Sequence, residues 1–294
     1  MAGFTQAETA ACSRLIEWAM EEDLGPQKST DSDLTSSAFV DPLAEGTAFL
    51  VARCAGILAG LPAAAMVFEK FDSQLRFVAL INDGSSLESG DRIASISGLL
   101  TSIFTAERTA LNFLQHLSGI ATMTNRYVVT VSGRAAKIMD TRKTIPGWRL
   151  LAKYAVRQGG GHNHRMGLFD MFLIKDNHWA AFREEETDLK ESLRYLHEHH
   201  PNVPIEIEVE SLAQLDEALA GKPDIILLDN MPLDMMREAV KRRNAVAPNI
   251  LLEASGGVTL ETVRAIAETG VDRISVGALT HSAPALDIAL DFET

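Results

Sequence analysis

Short apolar runs alternate with helical patterns through the second half of the chain, and this alternation constrains the fold more than any other feature. The apolar runs occupy residues 137–139, 171–174, 205–209, 225–228, 250–252 and 273–276. Alternation of this kind predicts parallel strands joined by helical crossovers. Six strands with helices between them favour an α/β barrel, although periodicity alone leaves a small open sheet as the alternative.

Polar or glycine residues follow nearly every one of these predicted strands. In chain order they are Thr141, Arg142, Lys143, Lys175, Asp229, Ser255, Gly256, Gly257 and Gly277. The active site of an α/β barrel is assembled from the carboxyl ends of its strands, so we expect these residues to converge on one site. The ordinary polarity of loops explains some of them, but not the repeated Lys and Arg just after buried strands.

The predicted strand at 205–209 alternates strictly between aliphatic residues and glutamates, with Glu206 and Glu208 on one face. In a barrel one face of each strand points inward and the other packs beneath helices, where aliphatic side chains belong. We therefore predict that the glutamates line the barrel interior. Buried acids need partners there, and Lys143 or Lys175 are candidates. An edge strand with a solvated glutamate face is the alternative.

Two glycine-containing turns, 255–257 and 275–277, follow the last two predicted strands. Barrels commonly bind phosphate at this place, where free backbone amides meet the start of a short helix. Glu208 and Asp229 lie at the ends of neighbouring strands and suit ribose hydroxyls or a Mg²⁺ ion that keeps its waters. The chain has no Walker A motif, no Gly-x-Gly-x-x-Gly and no serine nucleophile elbow.

The charge distribution indicates a small anionic ligand. The net charge of −13 argues against a general nucleic-acid-binding protein, whose surface would be basic. Residues 137–178 are the exception, with eight Lys and Arg residues against three acidic residues. A concentrated basic segment in an acidic protein suits a pocket for a highly charged small anion. A solvated helix face is the plainer explanation, and we expect it to apply to 149–157, including Arg157.

The composition also predicts a compartment. Two cysteines in 294 residues indicate a reduced, cytoplasmic protein without a disulfide framework. The longest apolar stretch, about 55–68, is too short to cross a bilayer and is broken by glycines and a proline. The N-terminal segment has no signal-peptide pattern, and the capping-box spacing of Thr5 and Glu8 predicts an amphipathic helix instead.

A pair of histidines, His162 and His164, suggests an alternative from another class. Two histidines one residue apart near a strand are typical of a metal-dependent barrel hydrolase. No convincing third and fourth ligand accompanies them in the sequence, and the adjacent guanidinium of Arg165 would oppose a cation. Cys12 and Cys54 lie outside the predicted barrel. We therefore rank the hydrolase well behind a site for anions.

Longer motifs resemble the quinolinate phosphoribosyltransferase family. The resemblance is carried by DTRKTIPGWR at 140–149, GGGHNHRMGL at 159–168 and LIKDNH at 173–178. Further similar motifs are ERTALNFL at 107–114, LSGIAT at 117–122, LLDN at 227–230, EASGG at 253–257 and VGALTH at 276–281. The resemblance is strong over the last two-thirds of the chain and only general over the first hundred residues.

The resemblance implies a fold of two domains. An α/β sandwich is expected at 1–112 and an open α/β barrel of the type II phosphoribosyltransferase kind at 113–279, with the tail 280–294 packing back on the first domain. It also implies Mg²⁺ dependence and a homodimer, or a higher oligomer, with shared active sites.

The resemblance further implies roles for individual residues. Those expected around the two quinolinate carboxylates are Arg142, His164, Arg165 and Lys175, with Arg108 arriving from the partner subunit and Thr141 completing the set. Lys143 is expected between quinolinate and pyrophosphate. Glu208 and Asp229 are expected at the ribose and, through water, at the metal, and with Lys143 and Lys175 they form the expected catalytic group. The residues expected at the 5′-phosphate are Ser255, Gly256, Gly257, Ser275 and Gly277.

The implied activity is a decarboxylating glycosyl transfer. A pentosyltransferase of this family, a nicotinate-nucleotide diphosphorylase (carboxylating), converts quinolinate and phosphoribosyl pyrophosphate into nicotinate mononucleotide, CO₂ and pyrophosphate in NAD biosynthesis. The chemistry requires positioned anions and stabilised charge rather than a protein nucleophile or a redox cofactor. The alternative within the same fold is the phosphoribosyltransferase-like protein associated with molybdenum transport.

Overall fold

The computed structural model describes residues 3–26, 32–175, 177–178 and 188–292. In chain order the helices are α1 (Gln6–Leu24), α2 (Leu34–Phe39), α3 (Leu61–Phe71), α4 (Leu100–Thr130), α5 (Arg149–Gln158), α6 (Leu189–His199), α7 (Leu212–Gly221), α8 (Leu233–Val246), α9 (Val263–Ala267) and α10 (Ala278–His281). Within these ranges, no helix has both the length and the apolar character that a bilayer span requires.

The strands are, again in chain order, β1 (Glu45–Ala52), β2 (Gly56–Ile57), β3 (Arg76–Ala79), β4 (Ser86–Leu87), β5 (Arg92–Leu99), β6 (Lys137–Met139), β7 (Phe172–Ile174), β8 (Ile205–Val209), β9 (Ile225–Asp229), β10 (Leu251–Ser255), β11 (Arg273–Ser275) and β12 (Ile288–Phe292). The six apolar runs of the second half therefore form β6 to β11. The bounds of β6 and β8 are those predicted, and the bounds of the other four differ by one to three residues. These strands alternate with helices, which confirms the predicted α/β organisation.

The chain divides into two compact units. The first comprises Met1–Asn125, Thr144–Gly160 and Leu279–Thr294, and the second comprises Arg126–Lys143 and Gly161–Ala278. This division is less continuous than the two ranges expected from the sequence, 1–112 and 113–279. The difference arises because helix α5 and most of the long helix α4 belong to the first unit, whereas the sequence placed 113–279 in the barrel.

The first unit contains a four-stranded sheet with the strand order β12-β1-β5-β3. All of its pairings are antiparallel, and the register places Leu50 of β1 opposite Leu290 of β12. Alternate positions of these strands are buried, including Leu50 and Ile96, because one face of the sheet is covered. Helix α1 contacts α3 and α5, and α3 contacts β3, so helices and sheet form the expected sandwich.

Helix α1 begins with the predicted capping box. The Thr5 amide donates to Glu8 Oε2 at 2.7 Å, and the Glu8 amide donates to Thr5 Oγ1 at 3.3 Å. Arg157 of α5 donates from Nη2 to Glu8 Oε1 at 2.6 Å. The expectation that 149–157 is a solvated helix face is therefore wrong for 151–156, which are buried, although Arg157 itself is exposed as predicted. Lys153 and Tyr154 are buried, and Arg157 joins α5 to α1 within this unit.

The second unit is a six-stranded parallel sheet with the order β6-β11-β10-β9-β8-β7. The five pairings between neighbouring strands are parallel, as the crossover helices require. Ile207, Leu228, Leu252 and Ile274 are fully buried, so the core lies along the inner strands. The edge strands β6 and β7 do not pair with each other in the described part of the chain, which makes the unit barrel-like but open.

Candidate active site

Parallel pairing brings the carboxyl ends of six strands to one edge of the sheet, here called the mouth. Ser275 at the end of β11 is in register with Met139 of β6, and Ser255 of β10 is in register with Asp229 of β9. Most predicted site residues of the second unit lie at or just after the ends of these strands, whereas His164 and Arg165 lie in the segment between α5 and β7. Arg108 belongs to the first unit.

Arg142 and Arg165 lie near enough to each other to interact as like charges. Arg142 follows β6 in a half-buried position, and its Nε is buried without a hydrogen-bond partner among the residues that the structure describes. Burial and the nearby charge of Arg142 lower the pKa of Arg165, against the attraction of Glu206 and Asp170. Two guanidinium groups held close together favour an anion between or beside them.

Thr141 and Lys143 flank Arg142 in the same loop. The Lys143 amide donates to Thr141 Oγ1 at 3.0 Å, which closes a tight turn directly after the strand end. The Lys143 side chain is exposed at the mouth. A turn of this kind fixes the backbone from which Arg142 projects.

Lys175 and Glu208 form an ion pair at the ends of β7 and β8. Lys175 Nζ lies 2.5 Å from Glu208 Oε2, and the glutamate side chain is nearly buried whereas the lysine is 43% exposed. The predicted interior position of Glu208 and its pairing with Lys175 are both observed. Glu206, by contrast, takes neither predicted lysine as its partner and contacts a histidine instead.

The glycine turn after β10 has the backbone geometry of an anion-binding loop. Gly256 and Gly257 adopt φ values of +96° and +58°, which side chains rarely tolerate. A Cβ at Gly256 would clash with the Asn230 side chain, whereas a Cβ at Gly257 would meet open space. Asn230 itself has φ +51°, and its Nδ2 donates to Asp229 Oδ2 at 2.7 Å. The Asn230 amide also donates to the Ser255 carbonyl at 2.9 Å, which joins the ends of β9 and β10 beside the exposed backbone of Gly257.

The turn after β11 is more enclosed. Ser275 is buried, and its hydroxyl donates to the Ala254 carbonyl at 3.4 Å. Gly277 is half-buried directly before the first residue of α10. Of the five residues expected at the 5′-phosphate, Gly256 and Gly257 are thus exposed, Ser255 and Gly277 are half-buried, and Ser275 already has a protein partner.

His164 lies at the centre of a buried ionic cluster. Its Nε2 is 2.9 Å from Glu206 Oε2 and 3.3 Å from Glu253 Oε1, and both glutamates are fully buried. Burial opposes a charged imidazole, but the two carboxylates outweigh it and raise the pKa of His164 to about 9. The Arg165 amide donates to Nδ1 at 2.8 Å and opposes a proton on that atom.

Two carboxylates that the sequence reasoning missed shape the loop around His164. Buried Asp140 accepts from the His164 amide at 2.9 Å and from Asn163 Nδ2 at 2.6 Å. Asp170 accepts from the amides of Met166 and Gly167 at 2.7 and 2.9 Å. The position of Asp140 directly after β6 was a usable signal, because carboxylates that cap loops commonly sit at strand ends.

The histidine pair does not form a metal site of the hydrolase kind. His162 is exposed, and its amide donates to the Ile138 carbonyl at 2.8 Å, so its backbone extends the sheet beside β6. The one group of three candidate metal ligands within the described residues consists of His164, Glu206 and Glu253, without His162. Burial and the positive charges of Lys137 and Arg273 lower the pKa of His162.

Arg108 lies exposed on α4 in the first unit. Its charge attracts the neighbouring Glu107 carboxylate, although burial outweighs this attraction and raises the pKa of Glu107. An exposed guanidinium with one helical neighbour is available to a ligand or to another subunit.

Comparison with known proteins identifies the family. Family models described as quinolinate phosphoribosyl transferase match residues 120–291 (C-terminal domain) and 33–118 (N-terminal domain). A nicotinate-nucleotide pyrophosphorylase (carboxylating) of Mycobacterium leprae is 44% identical over 98% of this chain and 99% of its own length. A quinolinate phosphoribosyltransferase (decarboxylating) of Nicotiana glauca is 41% identical over 95% of this chain and 82% of its own length.

The solved structures agree with the sequence comparisons. The structure of the nicotinate-nucleotide pyrophosphorylase from Francisella tularensis has a TM-score of 0.87 and 38% identity, covering 97% of this chain and 96% of its own. A structure from Streptococcus pyogenes has a TM-score of 0.88 and 37% identity over the whole of both chains. Neither the hydrolase nor the molybdenum-associated protein gains support. The chain therefore belongs to the quinolinate phosphoribosyltransferase family.

Proposed function

We propose that this protein is a quinolinate phosphoribosyltransferase (decarboxylating), a pentosyltransferase of NAD biosynthesis. It joins the pyridine nitrogen of quinolinate to ribose C1 of phosphoribosyl pyrophosphate and releases pyrophosphate and CO₂. The family membership supports this activity, and the charges at the mouth suit two strongly anionic reactants.

One observation carries the proposal at the level of the site. Arg142 has a buried Nε without a protein partner in the described residues, and it lies close enough to Arg165 to lower the pKa of that guanidinium. Holding two like charges in this way costs free energy unless an anion compensates them. Quinolinate carries two adjacent carboxylates, so each guanidinium can bind one of them through paired hydrogen bonds.

The residues around the mouth would then serve successive steps. Arg142, Arg165 and Lys175 hold the carboxylates, which aims the ring nitrogen at C1 while the C1–oxygen bond to pyrophosphate breaks. Lys143, exposed beside Arg142, balances the charge of the leaving pyrophosphate. The nitrogen becomes a pyridinium, and its positive charge stabilises the electron pair that remains on C2 when the adjacent carboxylate departs as CO₂. That carbon then takes up a proton, and the product is nicotinate mononucleotide.

Glu208 and Asp229 suit the expected Mg²⁺. Both offer oxygen atoms at the ends of the neighbouring strands β8 and β9, and Mg²⁺ prefers one or two carboxylates together with waters and substrate oxygens. Glu208 also contacts Lys175, and Asp229 accepts from Asn230 through Oδ2. When bound, Mg²⁺ would neutralise charge on the pyrophosphate.

We further propose a homodimer in which Arg108 completes the site of the partner subunit. The exposed position of Arg108 supports a role at the surface between subunits. A two-fold interface is isologous, so each subunit would give one arginine and receive one. A cytoplasmic location remains our expectation, and both cysteines carry free thiols.

The activity can be tested directly with purified protein. Quinolinate labelled in its 2-carboxylate is incubated with phosphoribosyl pyrophosphate and Mg²⁺, and released CO₂ is counted. We expect release only when both substrates and the metal are present. Nicotinate should react poorly because it leaves buried cations unpaired. Equal turnover of nicotinate, or no release from quinolinate, would contradict the proposal.

A further inference from the structure

Both ring nitrogens of His164 have partners inside the protein. Nε2 lies between the carboxylates of Glu206 and Glu253, at 2.9 and 3.3 Å. Nδ1 accepts the amide proton of Arg165 at 2.8 Å. The ring is buried, so its orientation is fixed from both sides. In this arrangement neither nitrogen is directed at a substrate.

The contacts of His164 continue through the second unit. Glu253 Oε2 lies 2.7 Å from Arg273 Nε, and Arg273 is itself almost fully buried at the first position of β11. Arg273 also lines a cavity of about 790 Å³ together with Ile225 and Leu251, the first residues of β9 and β10. A chain of polar contacts therefore runs from the amino ends of the strands to the mouth, in the order Arg273, Glu253, His164, Arg165.

The last link acts on a residue of the site. Arg165 is bonded to His164 through its backbone, and its Nη1 donates to the Met171 carbonyl at 3.4 Å. The His164 amide is held in turn by Asp140. The ring of His164 thus connects the buried glutamates to the backbone amide of Arg165 and supports the backbone from which the Arg165 guanidinium projects.

A metal ion is a poorer explanation of the same cluster. A metal would need a lone pair on Nε2. Nε2 carries a proton in the neutral ring, whose Nδ1 accepts the Arg165 amide, and also in the charged ring that the two carboxylates favour. The guanidinium of Arg273 on Glu253 also supplies the positive charge that a cation would bring.

We propose that Glu206, Glu253 and Arg273 are positioning residues for the dicarboxylate site, which act through His164 to fix the backbone of Arg165. This inference rests on the proposed function for the identity of the dicarboxylate. It assigns His164 a supporting role, in place of direct contact with a substrate carboxylate.

The test replaces Glu253 by Gln, which keeps its shape but turns an amide donor toward either His164 or Arg273. We expect KM for quinolinate to rise about tenfold, as when the support of a ligand-binding group is lost. KM for phosphoribosyl pyrophosphate and kcat should change less than twofold. Arg273→Lys should be milder than Arg273→Met because it retains the charge.

The matched control is Arg243→Met. Arg243 is equally buried in the same unit and pairs with Asp272 at 2.7 Å, but it has no contact with the His164 cluster. This variant should lower Tm without changing KM for quinolinate. If Glu253→Gln also lowers only Tm, or raises both KM values together, the cluster is merely structural and the inference is wrong.

A binding measurement separates this inference from the proposed function. Benzene-1,2-dicarboxylate has the same adjacent carboxylates but no ring nitrogen, so its binding can be measured by calorimetry without turnover. Glu253→Gln should weaken this binding about tenfold, and Arg243→Met should not. If the wild type binds the probe but releases no CO₂ from quinolinate, the proposed function fails while the inference stands. Unchanged binding in Glu253→Gln overturns the inference alone.

Discussion

Lys175 and Glu208 meet in one ion pair, with Nζ and Oε2 2.5 Å apart at the ends of adjacent strands. The residue expected at a substrate carboxylate is therefore joined to the residue expected at the ribose and the metal. With these expected roles, one lysine charge would serve both substrate subsites and link them electrostatically.

Replacing Lys175 by Ala should raise the activation free energy by about 2 kcal/mol, which lowers kcat/KM roughly 30-fold. This is the lower end of the cost of truncating one partner of a buried charge pair, because the lysine is partly exposed. Steady-state kinetics with quinolinate varied would measure it. Lys190→Ala, at an exposed position of α6, serves as the control and should behave as wild type. Normal activity of Lys175→Ala would remove this residue from the site.

Arg142→Met should separate activity from stability. We expect the activation free energy with quinolinate to rise by about 3 kcal/mol, because one carboxylate loses its partner. This lowers kcat/KM by more than about 100-fold. Tm without ligand should stay level or rise, since the change removes a half-buried charge that has no acid partner in the described residues.

The control for Arg142 is Arg242→Met, which removes exposed ion pairs to Glu238 and Asp216 and should leave activity unchanged. Thermal melts and kinetics are run on both variants. A marked fall in Tm for Arg142→Met would indicate that this arginine stabilises the fold through a structural partner, which contradicts its proposed role in binding an anion.

Arg108 and Arg142 should complement each other across the proposed dimer. The Arg108→Ala and Arg142→Ala proteins should each be nearly inactive. After subunit exchange, half of the dimers are mixed, and each mixed dimer has one intact site, so activity should return to about one quarter of wild type. Exchange is verified with differently tagged subunits. No recovery despite exchange would place Arg108 in its own subunit's site or outside catalysis.

The capping box of α1 should contribute to stability in a pH-dependent way. Burial raises the pKa of Glu8, but the Thr5 amide and Arg157 outweigh it and hold the pKa below the ordinary value of 4.5. A carboxyl group whose pKa is lower in the folded state than in the unfolded state stabilises the fold at a pH above its unfolded-state pKa. That contribution disappears as the pH falls through the folded-state pKa.

Denaturant unfolding at several pH values checks this. Arg157→Met should lower the free energy of unfolding by about 1–2 kcal/mol at pH 7. This is less than for a fully buried pair, because the Arg157 side chain is 37% exposed, and the loss should shrink toward low pH. Glu88→Gln, at an exposed site of the same unit, should show no such effect. A loss for Arg157→Met that is equal at pH 7 and pH 3 would contradict the assignment.

The second unit was largely predictable because its signals are local. Each parallel strand is a short apolar run, and the residue that follows it marks the mouth without knowledge of the rest of the chain. The interior position of Glu206 and Glu208 followed from strict alternation alone. The identity of their partners did not, because alternation gives a face of a strand and not the neighbour across it.

The features that were missed depend on contacts between distant parts of the chain. Arg157 and Glu8 are 149 residues apart, so no pattern within α5 revealed that this arginine has a buried partner. The cluster around His164 draws one residue from each of three strands and one from a loop. Glu253 and Arg273 carried no signal of their own, because a single charge inside an apolar strand indicates burial without naming its partner.

The antiparallel pairing of β12 with β1 has a consequence for biosynthesis. Residues 288–292 complete a sheet whose other strands lie within the first hundred residues, and the whole second unit is translated between them. A ribosome therefore releases β1 as an open edge, which must remain unpaired or be shielded until residues 288–292 have been made. Protection of that nascent edge, by slow translation or by a chaperone, would govern the yield of folded protein.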